Sequence, residues 1–402
     1  MSAPARLPLV FLIAGEPSGD ALGAALMAGL KEKTGGAVRF AGVGGPRMEA
    51  EGLESLFPMA DLTVMGILEV LPRLPVLLRR MGEAADAVER LDPDAVITID
   101  APDFCFRVAK KLKARAATRH IPLIHYVAPT VWAWRPGRAA KIAPLFDHLL
   151  TLLPFEPPYF ERVGLPATFV GHPVVERGAA PGDGIGFRLR HGLGEDAPVL
   201  LILPGSRPGE ITRLMPVFRD VVGRLAPDLR GLQCVVPTLE GVADLVRAAG
   251  ADWPAPLHLV TGKDEKADGF AAADVALAAS GTVALELALA GVPAVIAYKV
   301  NAVSGFIAQK LATVDHVNLV NLVLERRAVP EFIQRGCQPG PIAGALMHLF
   351  TDEGARTAQT VSARDAMTAL GLGGPRPSLR AAETVLAVMA EKDKDRNKDA
   401  GQ

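Results

Sequence analysis

Short apolar runs recur along this chain, and each ends in Gly, Pro or Asp residues before a helical stretch begins. Continuous apolar runs of this length are typical of strands that are buried on both faces, as in a parallel sheet. Their alternation with helical stretches predicts βαβ units. The runs are Pro8–Ala14, Val38–Val43, Ala95–Ile99, Pro122–Val127, His148–Leu153, Val199–Leu203, Leu232–Val236, Leu257–Val260, Val275–Ala279 and Ala294–Tyr298.

The runs fall into two equal sets, which predicts two Rossmann-like, doubly wound α/β domains that face a central cleft. The Gly- and Pro-rich segment Gly178–Gly186 is the best linker candidate. We therefore expect an N-terminal domain over residues 1–177 and a C-terminal domain over residues 187–390. The charged residues 391–402 are predicted to form a disordered tail.

Composition narrows the class of protein. The formal net charge is −1, from 43 Lys and Arg against 44 Asp and Glu, which argues against a nucleic-acid partner. Half of the 402 residues are hydrophobic, yet no stretch reaches the roughly 18 uninterrupted apolar residues of a membrane span. The three scattered cysteines lack metal-site spacing, which favours a reducing compartment. We expect a cytoplasmic protein with more apolar surface than usual.

Ligands of open α/β sheets bind outside the carboxyl ends of the strands. The first run leads into the turn Gly15–Asp20, whose two glycines permit a tight turn and close approach of a ligand. Glu16 within this turn favours a binding role over a plain βα turn and argues against a bound phosphate. Ser18 or Asp20 is expected to cap the helix that follows.

The next strand ends carry a carboxylate and an aromatic cluster. Asp100 ends the third run and has two readings of equal weight, a general base for an attacking hydroxyl or a helix cap. His125 lies within a strand, where a lone histidine is usually a satisfied core residue. Trp132 and Trp134 beside Arg135 suit stacking on a sugar and holding a phosphate, although packing at a domain edge fits equally.

The second half carries two candidate anion sites. Gly205, Ser206 and Arg207 follow the run Val199–Leu203, where backbone N–H groups and the next helix N-terminus favour an anion. The Arg207 guanidinium suits a diphosphate.

Ser280, Gly281 and Thr282 follow the run Val275–Ala279 and open a further helix. Ser280 or Thr282 is expected to cap it, and its N–H groups offer the second anion site. Glu286 lies one turn later in an apolar helix, so we expect it to be buried and to need a partner. A nucleotide ribose is the favoured partner, and an ordinary helix-dipole acid is the alternative.

Two anion sites, an acid for a ribose and a carboxylate base together indicate a nucleotide-sugar glycosyltransferase. No metal site is expected, because Asp92-Pro93-Asp94 precedes a strand and reads as a turn.

The chain resembles the lipid-A-disaccharide synthase family over a region from about Leu9 to beyond Gln338. The Trp-Ala-Trp-Arg and Met-Gly-Ile segments are its most specific motifs. The segments that carry the resemblance are Ala14–Asp20, Gly45–Met48, Val64–Leu71, Ile99–Phe104, His125–Arg135, Leu153–Glu156, Phe169–Pro173, Leu203–Arg207 and Ala279–Glu286.

The resemblance implies an inverting glycosyltransferase of GT-B fold in lipid A (lipopolysaccharide) biosynthesis. It implies transfer of 2,3-diacylglucosamine from UDP-2,3-diacylglucosamine to the 6-hydroxyl of 2,3-diacylglucosamine 1-phosphate, which gives the β-1,6 disaccharide 1-phosphate and UDP. It also implies a homodimer, peripheral on the inner face of the inner membrane, that needs no cofactor or metal.

The resemblance further assigns individual residues. It makes Asp100 the base and makes Arg207, Glu286 and Asn321 ligands of UDP. Our own interpretation of the first turn adds Glu16 as a second catalytic carboxylate that contacts the substrate. Val320 departs from the family, which usually has Pro before that Asn. The other substrate-binding residues that we predict are Ser18, Gly19, Trp132, Trp134, Arg135, Gly205, Ser206, Ser280, Gly281 and Thr282.

The segment Leu62–Leu78 combines apolar residues with arginines, which suits an element at an anionic membrane surface. A core helix is the alternative. Pro72 and Pro75 are expected to divide the segment into two short helices. The predicted membrane-contact residues are Val64, Met65, Ile67, Leu68, Leu71, Leu74, Leu77 and Leu78.

Two alternatives stay open. Another GT-B-type UDP-sugar enzyme, such as a UDP-N-acetylglucosamine 2-epimerase, would share the UDP pocket but need no lipid-facing surface. A non-catalytic nucleotide-sugar or lipid-binding protein would use the same scaffold without turnover.

Overall fold

A computed structural model describes residues 6–62, 67–134, 137–179, 181–299 and 316–400. For residues 67–72, 134 and 395–400 it describes the backbone alone. The chain divides into two compact units. The first unit is Met1–Glu176 with Gly373–Gln402, and the second unit is Arg177–Leu372.

The first unit contains a parallel sheet in the order β2-β1-β3-β4-β5-β6. The chain order reverses between β1 and β3, which makes their carboxyl ends the topological switch point of this sheet. The strands are β1 (Leu9–Ala14), β2 (Arg39–Val43), β3 (Ala95–Ile99), β4 (Leu123–Tyr126), β5 (His148–Thr151) and β6 (Ala167–Phe169).

Helices cover both faces of this sheet. The helices are α1 (Pro17–Thr34), α2 (Pro46–Ala50), α3 (Ile67–Leu91), α4 (Pro102–Ala114), α5 (Val131–Trp134), α6 (Arg138–Ile142), α7 (Pro157–Glu161), α8 (Pro173–Arg177, which ends one residue into the second unit) and, from the end of the chain, α17 (Pro377–Ala400). Strand β1 shows why its apolar run is continuous. Phe11 and Ile13 belong to one core layer, while Val10, Leu12 and Ala14 belong to the other.

The end of the chain differs from the prediction. Residues 391–400, predicted as a disordered tail, continue helix α17, and Gly373–Gln402 groups with the first unit rather than with the second. The reason lies upstream, where Ala381, Ala382 and Val385 are fully buried in the core layer that contains α1. This packing holds the first part of α17 in place, and the helix continues through the charged residues 391–400. Their composition alone does not predict a helix.

The second unit contains a parallel sheet in the order β12-β11-β10-β7-β8-β9. Its switch point lies between β7 and β10, as in a Rossmann sheet. The strands are β7 (Val199–Leu203), β8 (Gln233–Pro237), β9 (Leu257–Val260), β10 (Val275–Ala278), β11 (Ala294–Tyr298) and β12 (Glu331–Ile333). Strands β6 and β12, which the pattern did not predict, are three-residue edge strands, too short to show a period.

The helices of the second unit follow its strands. They are α9 (Gly184–Arg190), α10 (Pro208–Leu225), α11 (Glu240–Ala249), α12 (Lys263–Ala272), α13 (Val283–Ala290), α14 (Leu319–Leu324), α15 (Pro339–Thr351) and α16 (Glu353–Ala369). Short 3-10 helices occur in both units at Met59–Asp61, Ala116–Thr118, Ala143–Leu145 and Gln334–Gly336.

Helix α3 also differs from the prediction, because it runs from Ile67 to Leu91 through Pro72 and Pro75. Each proline removes one backbone hydrogen bond from the helix. The later half compensates by packing, since Met81, Ala84 and Val88 are buried in the core. In the described part of the chain, no helix is long and apolar enough to cross a membrane.

Candidate active site

The first unit brings two carboxylate loops together at its switch point. Ala14 at the end of β1 pairs in register with Ile99 at the end of β3. The residues that follow, Gly15-Glu16 and Asp100, therefore leave the same edge of the sheet on neighbouring strands. Glu16 is exposed at the N-terminus of α1, and Asp100 is half-buried. The two carboxylates that the sequence singled out share one edge.

Gly15 lets the two loops approach each other. A Cβ atom at Gly15 would lie 2.9 Å from the Cβ of Ala101, closer than side chains pack. Glycine is therefore required here for close approach rather than for a turn, and it fixes the spacing between the β1 loop and the Asp100 loop.

Left-handed backbone marks the same edge. Asp100 and Ala101 have φ values of 51° and 43°, and Val127, just after β4, has a φ of 83°. This region is uncommon for any residue with a side chain and unusual for a β-branched one. Such strain clusters at functional sites, where the surrounding structure holds it. Here it follows the consecutive sheet neighbours β3 and β4.

The environment of Asp100 makes it a better base. Burial raises the pKa of the Asp100 carboxyl, and the hydrogen bond from the Ala101 backbone N–H partly opposes that rise. A carboxylate with a raised pKa accepts a proton more readily. The cap interpretation is not confirmed, since Ala101 is the N-cap residue of α4 and no side chain in the described part of the protein caps this helix.

The helix after Glu16 is not capped as expected. Glu16 itself occupies the N-cap position of α1, and no side-chain cap bond forms there. Asp20 is buried and instead accepts hydrogen bonds from the backbone of Gly45 (2.9 Å) and Met48 (3.0 Å) at the start of α2. Asp20 thus fixes the Gly-Pro-Arg-Met turn, a long-range role that its position in sequence did not reveal.

The two other predicted ligands in this turn have different environments. Ser18 is exposed in the first turn of α1. Gly19 is buried, and a Cβ there would lie 3.4 Å from the Ile99 carbonyl oxygen. Gly19 therefore packs over the strand ends.

His125 is a core residue. Only 1% of it is exposed, and its Nδ1 lies 2.7 Å from Thr98 Oγ1. Its ring contacts the rings of Phe106 and Phe146, whose centroids are 4.9 and 5.0 Å away. Burial lowers the pKa of His125 to about 3, so the ring stays neutral.

Trp132 is held inward rather than presented as an open stacking surface. It is buried, and its Nε1 donates to Glu156 Oε1 at 3.1 Å. Glu156 Oε2 accepts from the backbone of Leu152 (3.2 Å) and Leu153 (3.0 Å). Burial raises the pKa of Glu156 to about 7. The Trp134 side chain and Arg135 lie outside the described residues.

In the second unit, a cavity of about 780 Å³ opens at the carboxyl ends of β7, β8, β9 and β10. It spans the switch point, where Rossmann sheets bind nucleotides. Its lining contains every residue predicted there from the two anion loops, namely Gly205, Ser206, Arg207, Ser280, Gly281, Thr282 and Glu286.

The loop after β7 is built around Gly205. Its φ is 108°, and a Cβ atom would lie 2.4 Å from Glu210 Oε2, so only glycine fits. Arg207 is the N-cap residue of α10 and lies 3.5 Å from Glu210 Oε1 through its NH1. The guanidinium side chain is 69% exposed, which leaves it accessible to an anion.

The loop after β10 leads into α13, whose N-cap residue is Thr282. No described side chain caps this helix, because Ser280 Oγ donates instead to the Val317 carbonyl oxygen at 3.3 Å. The predicted cap is therefore wrong. The uncapped N-terminus keeps the partial positive charge that favours an anion.

Glu286 is not buried as the prediction required. Its side chain is 38% exposed on the cavity wall, and Lys266 Nζ lies 2.5 Å from its Oε2. The helix is apolar because its other faces pack inward, with Ala284, Leu285 and Leu287 buried. Glu286 is exposed because it lies on the side of α13 that faces the cavity, away from the buried apolar residues.

Asn321 is structural. It is fully buried, and its Oδ1 accepts from the backbone of Ala328 and Val329, each at 2.8 Å. Its Nδ2 donates to the Val329 carbonyl (2.8 Å) and to Glu331 Oε1 (3.2 Å). These bonds use the amide's donors and acceptors inside the unit, so the side chain does not line the cavity.

Val320, which stands where the family usually has Pro, uses its N–H. That N–H donates to Asn318 Oδ1 at 3.1 Å, in an N-cap bond of α14. The residue that departs from the family pattern is therefore accommodated by a local cap.

Sequence reasoning missed the contribution of β8 and β9 to the cavity. Thr238 and Leu239 follow β8, while Lys263 and Lys266 begin α12 after β9. The strand-end rule, applied to these two runs as well, would have found all four residues.

Among the described residues, no three His, Cys, Asp or Glu side chains are grouped to hold a metal ion. Asp94 of the Asp-Pro-Asp turn accepts a hydrogen bond from the Leu9 backbone N–H at 2.6 Å.

Comparison with known proteins identifies the family. The sequence profile of the family described as lipid-A-disaccharide synthetase matches residues 10–382. The chain belongs to the lipid-A-disaccharide synthase family. It is 56% identical to the lipid-A-disaccharide synthase of Rhodospirillum centenum over 96% of this chain and 95% of that protein. It is 50% identical to that of Paramagnetospirillum magneticum over 97% of this chain and 100% of that protein.

Solved structures show the GT-B fold. A putative UDP-N-acetylglucosamine 2-epimerase from Listeria monocytogenes aligns with a TM-score of 0.61 at 13% identity over 97% of this chain and 98% of that chain. MurG of Acinetobacter baumannii aligns with a TM-score of 0.56 at 17% identity over 94% and 99%. At such identities the likeness concerns the fold. Family membership makes the protein a glycosyltransferase of lipid A biosynthesis, so the 2-epimerase alternative is not favoured.

Proposed function

We propose that the protein transfers 2,3-diacylglucosamine from UDP-2,3-diacylglucosamine to the 6-hydroxyl of 2,3-diacylglucosamine 1-phosphate, with inversion. The products are the β-1,6-linked disaccharide 1-phosphate and UDP. The observation that carries the assignment to this chain is the pair of switch points, one with carboxylates and one with cations and helix N-termini.

The first-unit edge supplies the base. Asp100 takes the proton of the acceptor 6-hydroxyl while that oxygen bonds to the anomeric carbon of the donor sugar, and the bond from that carbon to UDP breaks. One displacement inverts the configuration. The raised pKa of Asp100 and its fixed backbone support this role. Glu16, on the neighbouring loop, is a second carboxylate contact for the acceptor.

The second-unit cavity holds UDP. Arg207 and the α13 N-terminus stabilise the charge that develops on the departing diphosphate, and Glu286 accepts from a ribose hydroxyl. These groups lie in loops fixed by Gly205 and by the strand ends. We expect transfer to proceed without a cofactor or an added metal.

Product formation from both lipid substrates in detergent micelles with EDTA tests the reaction. Disaccharide 1-phosphate together with an equal amount of UDP is the expected result. A folded protein that binds UDP but forms no disaccharide would refute the transfer and favour the non-catalytic binding alternative. Turnover that returns only on adding a divalent ion would refute metal-free transfer.

Peripheral contact with the inner face of the cytoplasmic membrane is the second part of the proposal. Helix α3 supports it, since Leu78 is exposed, Leu74 and Leu77 are half-buried, and Arg73 and Arg79 are exposed beside them. Arg80 has another role, because it pairs with Asp61 and Glu83 and stacks on Phe57. Val64 and Met65 lie outside the described residues, as do the side chains of Ile67, Leu68 and Leu71.

Co-sedimentation with vesicles containing phosphatidylglycerol tests membrane contact. We expect Leu74→Ser with Leu78→Ser to reduce the bound fraction severalfold, because each variant side chain loses the free energy that the accessible apolar surface of the leucine gains on entering lipid. Leu91→Ser is the matched control, an exposed leucine at the other end of α3. Equal binding of all three proteins would remove the support that α3 gives to membrane contact.

A homodimer is proposed from the family resemblance. Light scattering in detergent measures the mass directly, and a mass of one 42.3 kDa chain would refute the dimer.

A further inference from the structure

The second-unit cavity contains a charged residue to which the resemblance assigns no role. Lys266 lies in the second turn of α12, and its Nζ is 2.5 Å from Glu286 Oε2 on α13. The two side chains are similarly exposed, at 39% and 38%, and both line the cavity. The Lys266 ammonium also lies over the Phe270 ring, with Nζ 5.4 Å from the ring centroid.

The charge balance of the cavity indicates why Glu286 is paired with Lys266. Among the described residues, its lining contains three cations, Arg207, Lys263 and Lys266, and three acids, Glu210, Glu240 and Glu286. A nucleotide diphosphate sugar adds two negative charges. An acid directed at the ribose would therefore repel the ligand unless a cation neutralised it.

The geometry of the pair shows how one cation serves both purposes. The Lys266 ammonium binds one carboxylate oxygen, Oε2, which leaves Oε1 available to accept from a neighbouring hydroxyl. The contact with Phe270 limits the positions that the Lys266 side chain adopts. Glu286 is thereby held at a fixed orientation on the cavity wall.

We propose that Lys266 is a positioning and specificity-determining residue of the nucleotide site, which orients Glu286 toward the ribose and neutralises it beside the diphosphate. This inference rests on the proposed function, since it takes the cavity ligand to be UDP. It predicts that recognition of the ribose hydroxyls depends on Lys266 as strongly as on Glu286.

Calorimetric titration with UDP and with 2′-deoxy-UDP tests the proposal. The wild type should prefer UDP by about tenfold, the effect of one hydrogen bond to a charged group. Lys266→Met, which removes the charge but keeps a long apolar side chain beside Phe270, should weaken UDP binding by about tenfold and reduce the preference to nearly one. Glu286→Gln should lose the same preference, and the double variant should bind no more weakly than the weaker single variant.

Lys31→Met is the matched control, since Lys31 pairs with Glu51 at 2.9 Å in the first unit with exposures of 39% and 32%. It should leave both affinities unchanged. Lys266→Arg, which keeps the charge, should retain most of the UDP affinity, and it decides the question if Lys266→Met fails to fold.

The outcomes separate the two proposals. No UDP binding by folded wild type would refute the nucleotide site itself. If the wild type prefers UDP, and Lys266→Met keeps that preference or binds UDP more tightly, the role of Lys266 is refuted while the nucleotide site stands. Additive losses in the double variant would also refute it, because they would mean that the two residues act independently.

Discussion

The two units place opposite chemistry at equivalent positions. At the switch point of the first unit, the loops after β1 and β3 carry Glu16 and Asp100, and Asp100 has left-handed backbone. At the switch point of the second unit, the loops after β7 and β10 carry Arg207 and the uncapped N-terminus of α13. Under the proposed function, the same sheet edge serves proton removal in one unit and anion binding in the other. Fold alone does not assign the role, and the loop residues do.

The means of fixing the loops also differ. In the first unit, Gly15 allows Ala101 to approach, and Asp20 ties α1 to α2. In the second unit, the close contact is within one loop, since Gly205 packs against the Glu210 side chain five residues later. The first arrangement couples two strand ends, whereas the second stabilises one. A change in a first-unit loop should therefore be transmitted further.

The largest effect that separates the two edges should come from Asp100→Asn. Turnover should fall by about a hundredfold or more, because the acceptor hydroxyl loses its base. The affinity for UDP should not change, because the UDP groups belong to the second unit. Initial rates and UDP titration measure the two effects, with Asp103→Asn, an exposed carboxylate in the first turn of α4, as the control.

A variant that keeps turnover would move the base elsewhere, with Glu16 as the next candidate. The pH profile adds a second check. Since burial raises the pKa of Asp100, kcat/KM should fall on the acid side at a pH above the ordinary range of an Asp carboxyl. It should fall as the pH decreases through that pKa, because only the ionised form accepts the proton.

Arg207→Ala should produce the complementary result. UDP binding should weaken by about ten- to a hundredfold, the range for a charged hydrogen bond. Arg224→Ala, an exposed arginine near the end of the same helix, is the control. A variant with unchanged UDP affinity and reduced turnover would mean that Arg207 acts on the acceptor. It would contradict the assignment of UDP binding to this edge of the second unit.

Gly15→Ala should show how tightly the first edge is coupled. The added Cβ lies 2.9 Å from that of Ala101, so the Asp100 loop must shift. A shift of this size should lower kcat by about tenfold while UDP affinity is preserved. Gly82→Ala is the control, because a Cβ there meets no atom within 4 Å. Equal activities of the two variants would show that the spacing of the loops does not matter.

The smallest effect concerns the free energy of unfolding and comes from Glu156, the hydrogen-bond acceptor of Trp132. Its pKa is about 7 in the folded protein against an ordinary value of 4.5. Between those values the folded state binds more protons than the unfolded state, so stability falls as pH rises.

Relative to Glu156→Gln, the wild type should lose about 2 to 3 kcal/mol of unfolding free energy between pH 5 and pH 8. Denaturant unfolding of both proteins at the two pH values measures this change. A constant difference between them would show that the Glu156 carboxyl titrates normally.

The sequence predicted correctly those features that depend on local patterns of residues. Continuous apolar runs placed ten strands, and the residues just after them, such as Arg207 and Ser280, line the cavity as expected. Two expectations that failed, the burial of Glu286 and the helix cap at Asp20, depend on partners far along the chain. Glu286 pairs with a lysine 20 residues away, and Asp20 binds a turn 25 residues away. The hydrogen bonds of the Asn321 side chain are local, since its partners lie seven to ten residues further along the chain. The sequence of this segment nevertheless does not show whether the amide binds the protein backbone or a ligand.

The sequence by itself determined the two parallel sheets, the loops at their carboxyl ends and the family, because hydrophobic period and motif spacing are local properties of the chain. The tertiary structure alone decided which polar groups remain available for chemistry. It occupies the Asn321 amide within the unit, pairs Glu286 with Lys266, buries His125 as a neutral ring and joins the end of the chain to the first unit. These outcomes depend on burial and on distant partners, and both arise when separate segments pack together.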